Sequence, residues 1–250
     1  MSGLTQGLDY STVLASSIHD MKNSLSLLLG TLDEVTQRCQ PGTCKSSSQF
    51  TQLQYEGKRV NDHLVQLLAL YRIDNSQYFV NISENFVSDF LHEIMLEHQA
   101  MLAYRNISFD IDCDDDIYGF FDRDLIAGVI TNIINNLYVY SEDRMLIQVE
   151  NNDAYLVIHI KDNGKGYPDG MLCSTEQQQK SISFSSGSTG LGLYFAARAA
   201  EMHKNKKRKG YISITNDGVT RHSKVNNGVT CHSKVNNGID NGGCFSIHLP

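Results

Sequence analysis

The chain has 250 residues, with 28 Asp and Glu against 21 Lys and Arg and a net charge of −7. That length admits one large or two small domains with a sizeable core, and the acidic balance excludes general nucleic-acid binding. No apolar run approaches the ~18 residues of a membrane span, and no charged-then-apolar leader opens the chain. The cysteines (Cys39, Cys44, Cys113, Cys173, Cys231, Cys244) make no Cys-x-x-Cys pair and no zinc spacing with histidine. The expectation is a reduced, soluble, cytoplasmic protein whose cysteines are small hydrophobes.

In chain order, residues 8–38 predict a long helix. Leu14, Ile18, Met21, Leu25, Leu28, Leu32 and Val35 step by four and three, which is a heptad seam. Pro41-Gly42 ends it, and a Ser-rich loop runs to Ser48. A second helix over 49–73 keeps a similar seam through Leu53, Val60, Leu64, Leu67 and Tyr71. A lone αα-hairpin cannot bury both seams, so the expectation is a homodimer built as a four-helix bundle. His19 follows Ile18 at the edge of the seam and should face solvent. It shares a helix face with Asn23 four residues on and adjoins the Asp20 carboxylate. An exposed imidazole beside a carboxylate can be held as a nucleophile.

Residues 75–81 read as a joint, dividing the chain into domains 1–77 and 78–250. Phe79-Val80-Asn81-Ile82 is strand-like. A helix is expected from Phe86 to Tyr104, with Phe86, Phe90, Ile94, Leu96 and Met101 inward. A strand follows over 106–112, then a solvated turn at Asp114-Asp115-Asp116. A helix over 122–141 carries a buried stripe of Leu125, Val129, Ile133, Leu137 and Tyr140. Asn132 and Asn136 lie on one face of it. Amides are poor mid-helix residues and call for a reason. Either they are simply exposed, or they line a phosphate pocket, where an amide oxygen can join a Mg²⁺ shell.

Strands 145–150 and 155–160 are joined by the turn signal Asn151-Asn152-Asp153. Asp162-Asn163-Gly164-Lys165-Gly166 follows the second strand. A polar segment, Tyr167 to Ser186, leads to Gly187-Ser188-Thr189-Gly190-Leu191-Gly192-Leu193 and an Ala-rich helix to Met202. Glycines let the backbone approach a ligand closely. A Gly-rich turn at a helix N-terminus suits phosphate, and an Asp at a strand end can accept from an exocyclic amine. The pattern reads as a nucleotide pocket with a mobile polar lid, and Phe184 is a candidate lid aromatic. It is neither a Walker loop nor a dinucleotide fingerprint. Lys204 to Lys209 reads as cations trailing a helix C-terminus. Residues 210–215 and 244–249 pair as final strands. Between them a tandem repeat, Gly218–Asn227 then Gly228–Asn237, reads as an exposed hairpin extension, with His222 and His232 surface residues rather than metal ligands.

Asp162-x-Gly164-x-Gly166 and Thr189-Gly190-Leu191-Gly192-Leu193 resemble the two glycine boxes of the histidine kinase ATP-binding domain, one branch of the wider gyrase, chaperone, kinase and MutL ATPase group. Asn132, Asn136 and Tyr140 resemble that family's N box. His19-Asp20 with Asn23 is similar to its phosphoacceptor box. The chain departs from the pattern at Leu137, where a small residue is usual, at Val139, where a basic one is frequent, and at Ser188, where many relatives have glycine. The fold implied is α+β: an N-terminal antiparallel helical hairpin forming a dimeric four-helix bundle, then an α/β sandwich ATPase domain with a mixed sheet and helices on one face.

The resemblance implies ATP and Mg²⁺ as cofactors. Asp162 would read adenine, Gly164, Gly166, Thr189, Gly190, Leu191 and Gly192 would cradle phosphates, and Asn136 would hold the metal with Asn132 nearby. His19 would attack the γ-phosphate, with Asp20 holding the other ring N–H. The phosphoryl group would pass to an Asp of a response-regulator receiver, and Asn23 could orient water for the reverse dephosphorylation. Input would come from a separate sensor protein. Two rivals stand beside this soluble histidine kinase: a degenerate kinase acting as phosphatase or phosphotransfer protein, motivated by Leu137 and Val139, and a non-enzymatic ATP-binding scaffold that sequesters a signalling partner.

Overall fold

The computed structural model describes residues 10–38, 47–173, 190–219 and 242–250, and the chain divides into two compact units, 1–79 and 80–250. In the first unit, α1 (Tyr10–Arg38) and α2 (Ser47–Asp74) pack as an αα-hairpin. The helices approach closely where Gly57 faces Leu29; a Cβ on Gly57 would stand 2.6 Å from Leu29 Cδ2. Ile18, Leu70 and Ile73 are buried. Much of the predicted seam is not: Leu28 and Leu53 are each 56% exposed, and Met21, Val35, Val60 and Leu67 also stand open. The heptad pattern is real, and within one chain half of it lacks a cover.

The second unit opens with an element that differs from expectation. Ile82–Phe86 forms β1, and α3 starts only at Val87 and ends at Tyr104. Ser83-Glu84-Asn85 reads as a polar approach to a helix, yet it pairs antiparallel with β3 (Tyr118–Asp122), which has no clear signal of its own. Asn85 fixes the ribbon by donating from Nδ2 to the carbonyls of Ser83 and Phe121. Long-range pairing overrides local preference here. Phe86 therefore leaves the helix and is exposed, as is Leu96; the inward side of α3 is Val87, Phe90, Leu91, Ile94, Met95 and Leu102.

The main sheet has strand order β2-β4-β5-β9-β8. Its members are β2 (Ser108–Asp112), β4 (Arg144–Asn151), β5 (Leu156–Asp162), β8 (Tyr211–Thr215) and β9 (Cys244–Leu249). Only β2 and β4 run parallel; the other neighbours are antiparallel, so the sheet is mixed. Along β5, Ile158 and Ile160 are buried, and the period of two puts Asp162 on their face. Against the sheet packs α5 (Gly190–Met202), and α4 (Arg123–Tyr140) packs against α5, α3 and the β1–β3 ribbon. Asp122 caps α4 by accepting from the Leu125 N–H at 3.0 Å. Of the predicted α4 stripe, Leu125, Val129, Ile133 and Leu137 are buried, while Tyr140 is exposed.

The run Lys204 to Lys209 does not trail the helix. It forms a small hairpin, β6 (Lys204–Asn205) and β7 (Arg208–Lys209), turned by Lys206 at φ +55°. Tyr167 to Cys173, expected in the mobile segment, are tied down. The Tyr167 N–H donates to Asn216 Oδ1, Asn216 Nδ2 donates back to the Tyr167 carbonyl, and Cys173 bridges to Ile214. The rest of the predicted lid, with Phe184, and the tandem repeat beyond Val219 lie outside the described residues.

Three histidines in this unit are held neutral. His203 is buried; its Nδ1–H donates to the Ala199 carbonyl and its Nε2 accepts from the Asp122 N–H. Burial lowers its pKa, and burial likewise lowers those of His159 and His248, the last to about 4. A group whose folded pKa is depressed below its unfolded value of about 6.5 binds its proton first in the unfolded chain. Stability is then complete above pH ~6.5 and declines as pH falls toward 4. The thermal midpoint of the second unit's transition should drop by roughly 5 °C or more between pH 7.5 and pH 5. In His248→Gln that dependence should flatten, as read by calorimetry across the same pH series.

Candidate functional site

The site in the second unit is assembled around the end of β5. Asp162 is buried, and its Oδ1 accepts from the Gly164 N–H at 2.6 Å. Burial raises its pKa, while N–H groups of Gly164 and Gly243 oppose that rise. Glycines from three segments crowd it. A Cβ on Gly164 would lie 2.3 Å from the Tyr140 carbonyl oxygen, one on Gly218 2.1 Å and one on Gly242 1.8 Å from the Asp162 carbonyl oxygen. A Cβ on Gly243 would lie 2.8 Å from Asp162 Oδ2. Gly166 has φ +74°, a left-handed conformation that glycine adopts without strain. The Val219 N–H donates to the Asp162 carbonyl at 2.9 Å, so the chain leaving β8 is stitched to this turn.

Asn163 locks the turn from the other side. Its Oδ1 accepts from the N–H groups of Asp143 and Arg144, and its Nδ2 donates to Asp143 Oδ1 at 2.7 Å. The loop after α4 is thereby pinned to the end of β5. Asn163, Asn216, Gly218, Gly242 and Gly243 form this framework; the sequence marks Asn163 only as part of the turn and Gly218 only as the start of the repeat, and it gives Asn216, Gly242 and Gly243 no role. The Gly242-Gly243 pair before a strand is a turn signal, but nothing local says that it abuts Asp162.

Along its middle α4 meets α5. A Cβ on Gly192 would stand 2.3 Å from Asn132 Oδ1 and 2.4 Å from Nδ2. Asn132 is buried and its Nδ2 has no hydrogen-bond partner, an unsatisfied state that costs about 1–3 kcal/mol. Gly190, Leu191 and Gly192 form the first turn of α5, whose N–H groups have no intrahelical acceptor. Asn136 is half-buried one turn along α4 and Tyr140 exposed two turns along. Thus α4 links the two glycine turns over about 12 Å, eight residues at 1.5 Å each. Thr189 lies outside the described residues. Leu137 fills the core, and Val139 stands exposed.

His19 belongs to the first unit. Its side chain is 60% exposed. Asn23 Nδ2 lies 3.2 Å and Asp20 Oδ1 3.8 Å from the same ring atom, Nδ1. Among the described residues no group of three or more His, Cys, Asp or Glu side chains is placed to hold a metal, and no helix is long and apolar enough to cross a membrane.

Two glycine turns joined by an amide-bearing helix, beside a buried carboxylate at a strand end, define a nucleotide-binding ATPase domain. The family model for histidine kinase-, DNA gyrase B- and HSP90-like ATPases matches residues 121–250, and the chain belongs to that family. Among curated relatives, histidine kinase P4 of Formosa agariphila is 24% identical over 213 residues, covering 78% of this chain and 15% of the relative. Sensor histidine kinase CssS of Bacillus subtilis is 26% identical over 84% of this chain and 45% of the relative. The chain thus spans less than half the length of these relatives. Its fold matches that of the Acinetobacter baumannii histidine kinase AdeS with a TM-score of 0.55 at 20% identity, covering 92% of this chain and 96% of that one.

The contact between Gly192 and Asn132 leaves no room for a methyl group. Gly192→Ala should displace the Asn132 amide and weaken binding of a fluorescent ATP analogue at least tenfold, with the circular dichroism spectrum unchanged.

Proposed function

We propose that this chain is the kinase core of a two-component histidine kinase. It takes the γ-phosphoryl group of ATP onto His19 and delivers it to an Asp of a response-regulator receiver. The observation that carries the reading is the His19 ring. Both of its polar neighbours stand on Nδ1, which leaves Nε2, on the far edge of the ring, as the nucleophile. The histidine kinase relatives and the ATPase family support it.

In the neutral tautomer with Nδ1–H, the Nε2 lone pair forms a bond to the γ-phosphorus. The bond from that phosphorus to the β–γ bridging oxygen breaks, and ADP leaves with the electron pair. Positive charge develops on the ring. Asp20 stabilises it through Nδ1–H after a small side-chain rotation, and Asn23 accepts from the same N–H when its amide oxygen is turned to the ring. Asp162 accepts from the exocyclic amine of adenine. The first turn of α5 and the Gly164–Gly166 turn hold the phosphates. The unpartnered Asn132 Nδ2, facing the start of α5, is a donor that fits a phosphate oxygen. Asn136 would hold Mg²⁺, with Asn132 one turn earlier, and when bound the ion neutralises phosphate charge. The exposed seams of α1 and α2 are covered by a second copy of the hairpin, giving a dimeric bundle.

A second reading has one observation in its favour. Val139, exposed on the last turn of α4, replaces the cation frequent at this position, which weakens the hold on phosphate and tilts the balance toward phosphatase activity on the receiver through a water oriented by Asn23.

Purified chain incubated with γ-labelled ATP and Mg²⁺ should acquire acid-labile label that His19→Ala lacks. Label resistant to acid, or equal label on His19→Ala, would reject His19 as the acceptor. Val139→Lys should raise the labelling rate several-fold, and Asn23→Ala should slow dephosphorylation of a phosphorylated receiver without slowing labelling of His19. If Val139→Lys leaves the rate unchanged, the departure from the basic pattern has no bearing on turnover.

A further inference from the structure

The second unit carries a second concave surface, at the opposite end of β5 from Asp162. Leu156 lines it and Asp162 lies six residues on, so the two ends are about 20 Å apart. The cavity measures about 500 Å³, within the range of binding pockets. One wall is the outer face of the β1–β3 ribbon. Phe86 pairs with Tyr118 across the ribbon, and Glu84 with Phe120. Tyr118 and Phe120 meet edge to face at 6.0 Å and are 51% and 56% exposed, and Ile82 and Phe86 on the same face are also open. Adjacent exposed aromatics of this kind mark an interaction surface rather than ordinary surface scatter.

The facing wall is the Lys204–Lys209 hairpin. Lys204 and Arg208 line the cavity, and Lys206 and Lys207 form the hairpin's tip. Lys209 is engaged by Glu201 at 3.1 Å. Arg208 donates to the Asp153 carbonyl at 2.9 Å, which fixes the hairpin against the β4–β5 turn. Of the lining residues Asp153 is acidic, Glu84 stands on the ribbon opposite Phe120, Asp122 is buried behind Ile82 and Glu201 is taken up by Lys209; the four cations Lys204, Lys206, Lys207 and Arg208 outnumber the two open carboxylates Glu84 and Asp153 on a chain whose net charge is −7. A local cationic rim on an acidic protein selects an anionic partner by sign, while the rest of the molecule repels an extended polyanion.

The geometry points to a docking site here for a short acidic polypeptide segment of a partner protein that also carries an aromatic or branched apolar side chain. The apolar side chain packs on Tyr118 and Phe120, which supply rigid anchors at low entropic cost. The carboxylates meet Lys204 and the hairpin tip. Nothing in this surface overlaps the nucleotide turns, so occupancy does not require phosphorylation of His19.

The test is a fluorescence anisotropy titration of the full chain with a fluorescein-labelled hexapeptide, Asp-Glu-Phe-Asp-Glu-Leu. Two control peptides replace either Phe and Leu by Ser, or all acids by Lys. Saturable binding of the first is expected, at least tenfold weaker for each control, and at least tenfold weaker for the double variant Phe120→Ser, Lys204→Glu. Both substituted side chains are exposed, and retained binding of a fluorescent ATP analogue shows that the double variant is folded. No saturable binding, equal binding of either control, or an unaffected double variant overturns the proposal. So does displacement of the peptide by excess ATP, which would place it in the nucleotide site, or equally tight capture of the chain by phosphatidylserine vesicles.

Discussion

The end of β5 is the constraint on which the ATPase unit depends. Asp162 occupies a place where four glycines, from three segments of the chain, stand too close for any side chain. Two of those segments are the exit from β8 and the entry to β9, so the neighbouring strand ends are brought to one point by the need to enclose this carboxylate. The arrangement is costly in two ways. Each glycine gives up backbone freedom that an alanine would not have had, and burial works against the ionised carboxyl, whose pKa is raised. Two backbone N–H groups offset part of that cost, and a ligand donor such as an amine would offset more. A carboxylate enclosed to this degree is better suited to reading a donor than to holding an ion pair.

From that point the rest of the site follows along α4. The helix is fixed at one end by its Asp122 cap, which also receives the Asn81 N–H and whose own N–H reaches His203. At the other end Asn163 fixes the loop that follows it. Between these anchors, Asn132 reaches the start of α5 and the Tyr140 carbonyl lies against Gly164. A rigid helix thus spaces two glycine turns that are distant in sequence, and the helical rise sets that spacing. This is the preorganisation that the proposed phosphoryl transfer demands, because a protein's contribution to that reaction is positioning and electrostatics.

Much of this was legible in the sequence, and the misses share a cause. The long helices, β4, β5, β8, β9 and α4 announce themselves by period and by turn residues, and Asp162, Gly164 and the Asn132–Asn136 pair stand out because polar or flexible residues interrupt apolar elements. The β1–β3 ribbon did not, because Ser83-Glu84-Asn85 has no strand character until Tyr118–Asp122 lies beside it. Gly218, Gly242 and Gly243 look like ordinary turn residues, and their role exists only through contact with a strand more than fifty residues away. The Lys204–Lys209 run has the composition of a helix tail, yet a single left-handed Lys206 folds it into a hairpin. In each case a long-range contact or one backbone torsion decides, and neither leaves a periodic trace.

The hairpin unit raises the opposite question, since its pattern is plain and its burial incomplete. Full burial of a Leu or Val contributes about 1.5–3 kcal/mol, so covering the half-open seam side chains of Met21, Leu28, Val35, Leu53, Val60 and Leu67 is worth roughly 1 kcal/mol each, about 6 kcal/mol per chain. A second copy brings the same amount, which together is comparable to the rotational and translational cost of association, about 4–15 kcal/mol. The same two helices without a partner leave that surface in water. His19 is spared from this exchange because it stands one residue off the seam. Association can therefore bury the apolar stripe while the imidazole, its Asn23 neighbour and its Asp20 neighbour stay open to solvent, the separation that the proposed phosphoacceptor role requires.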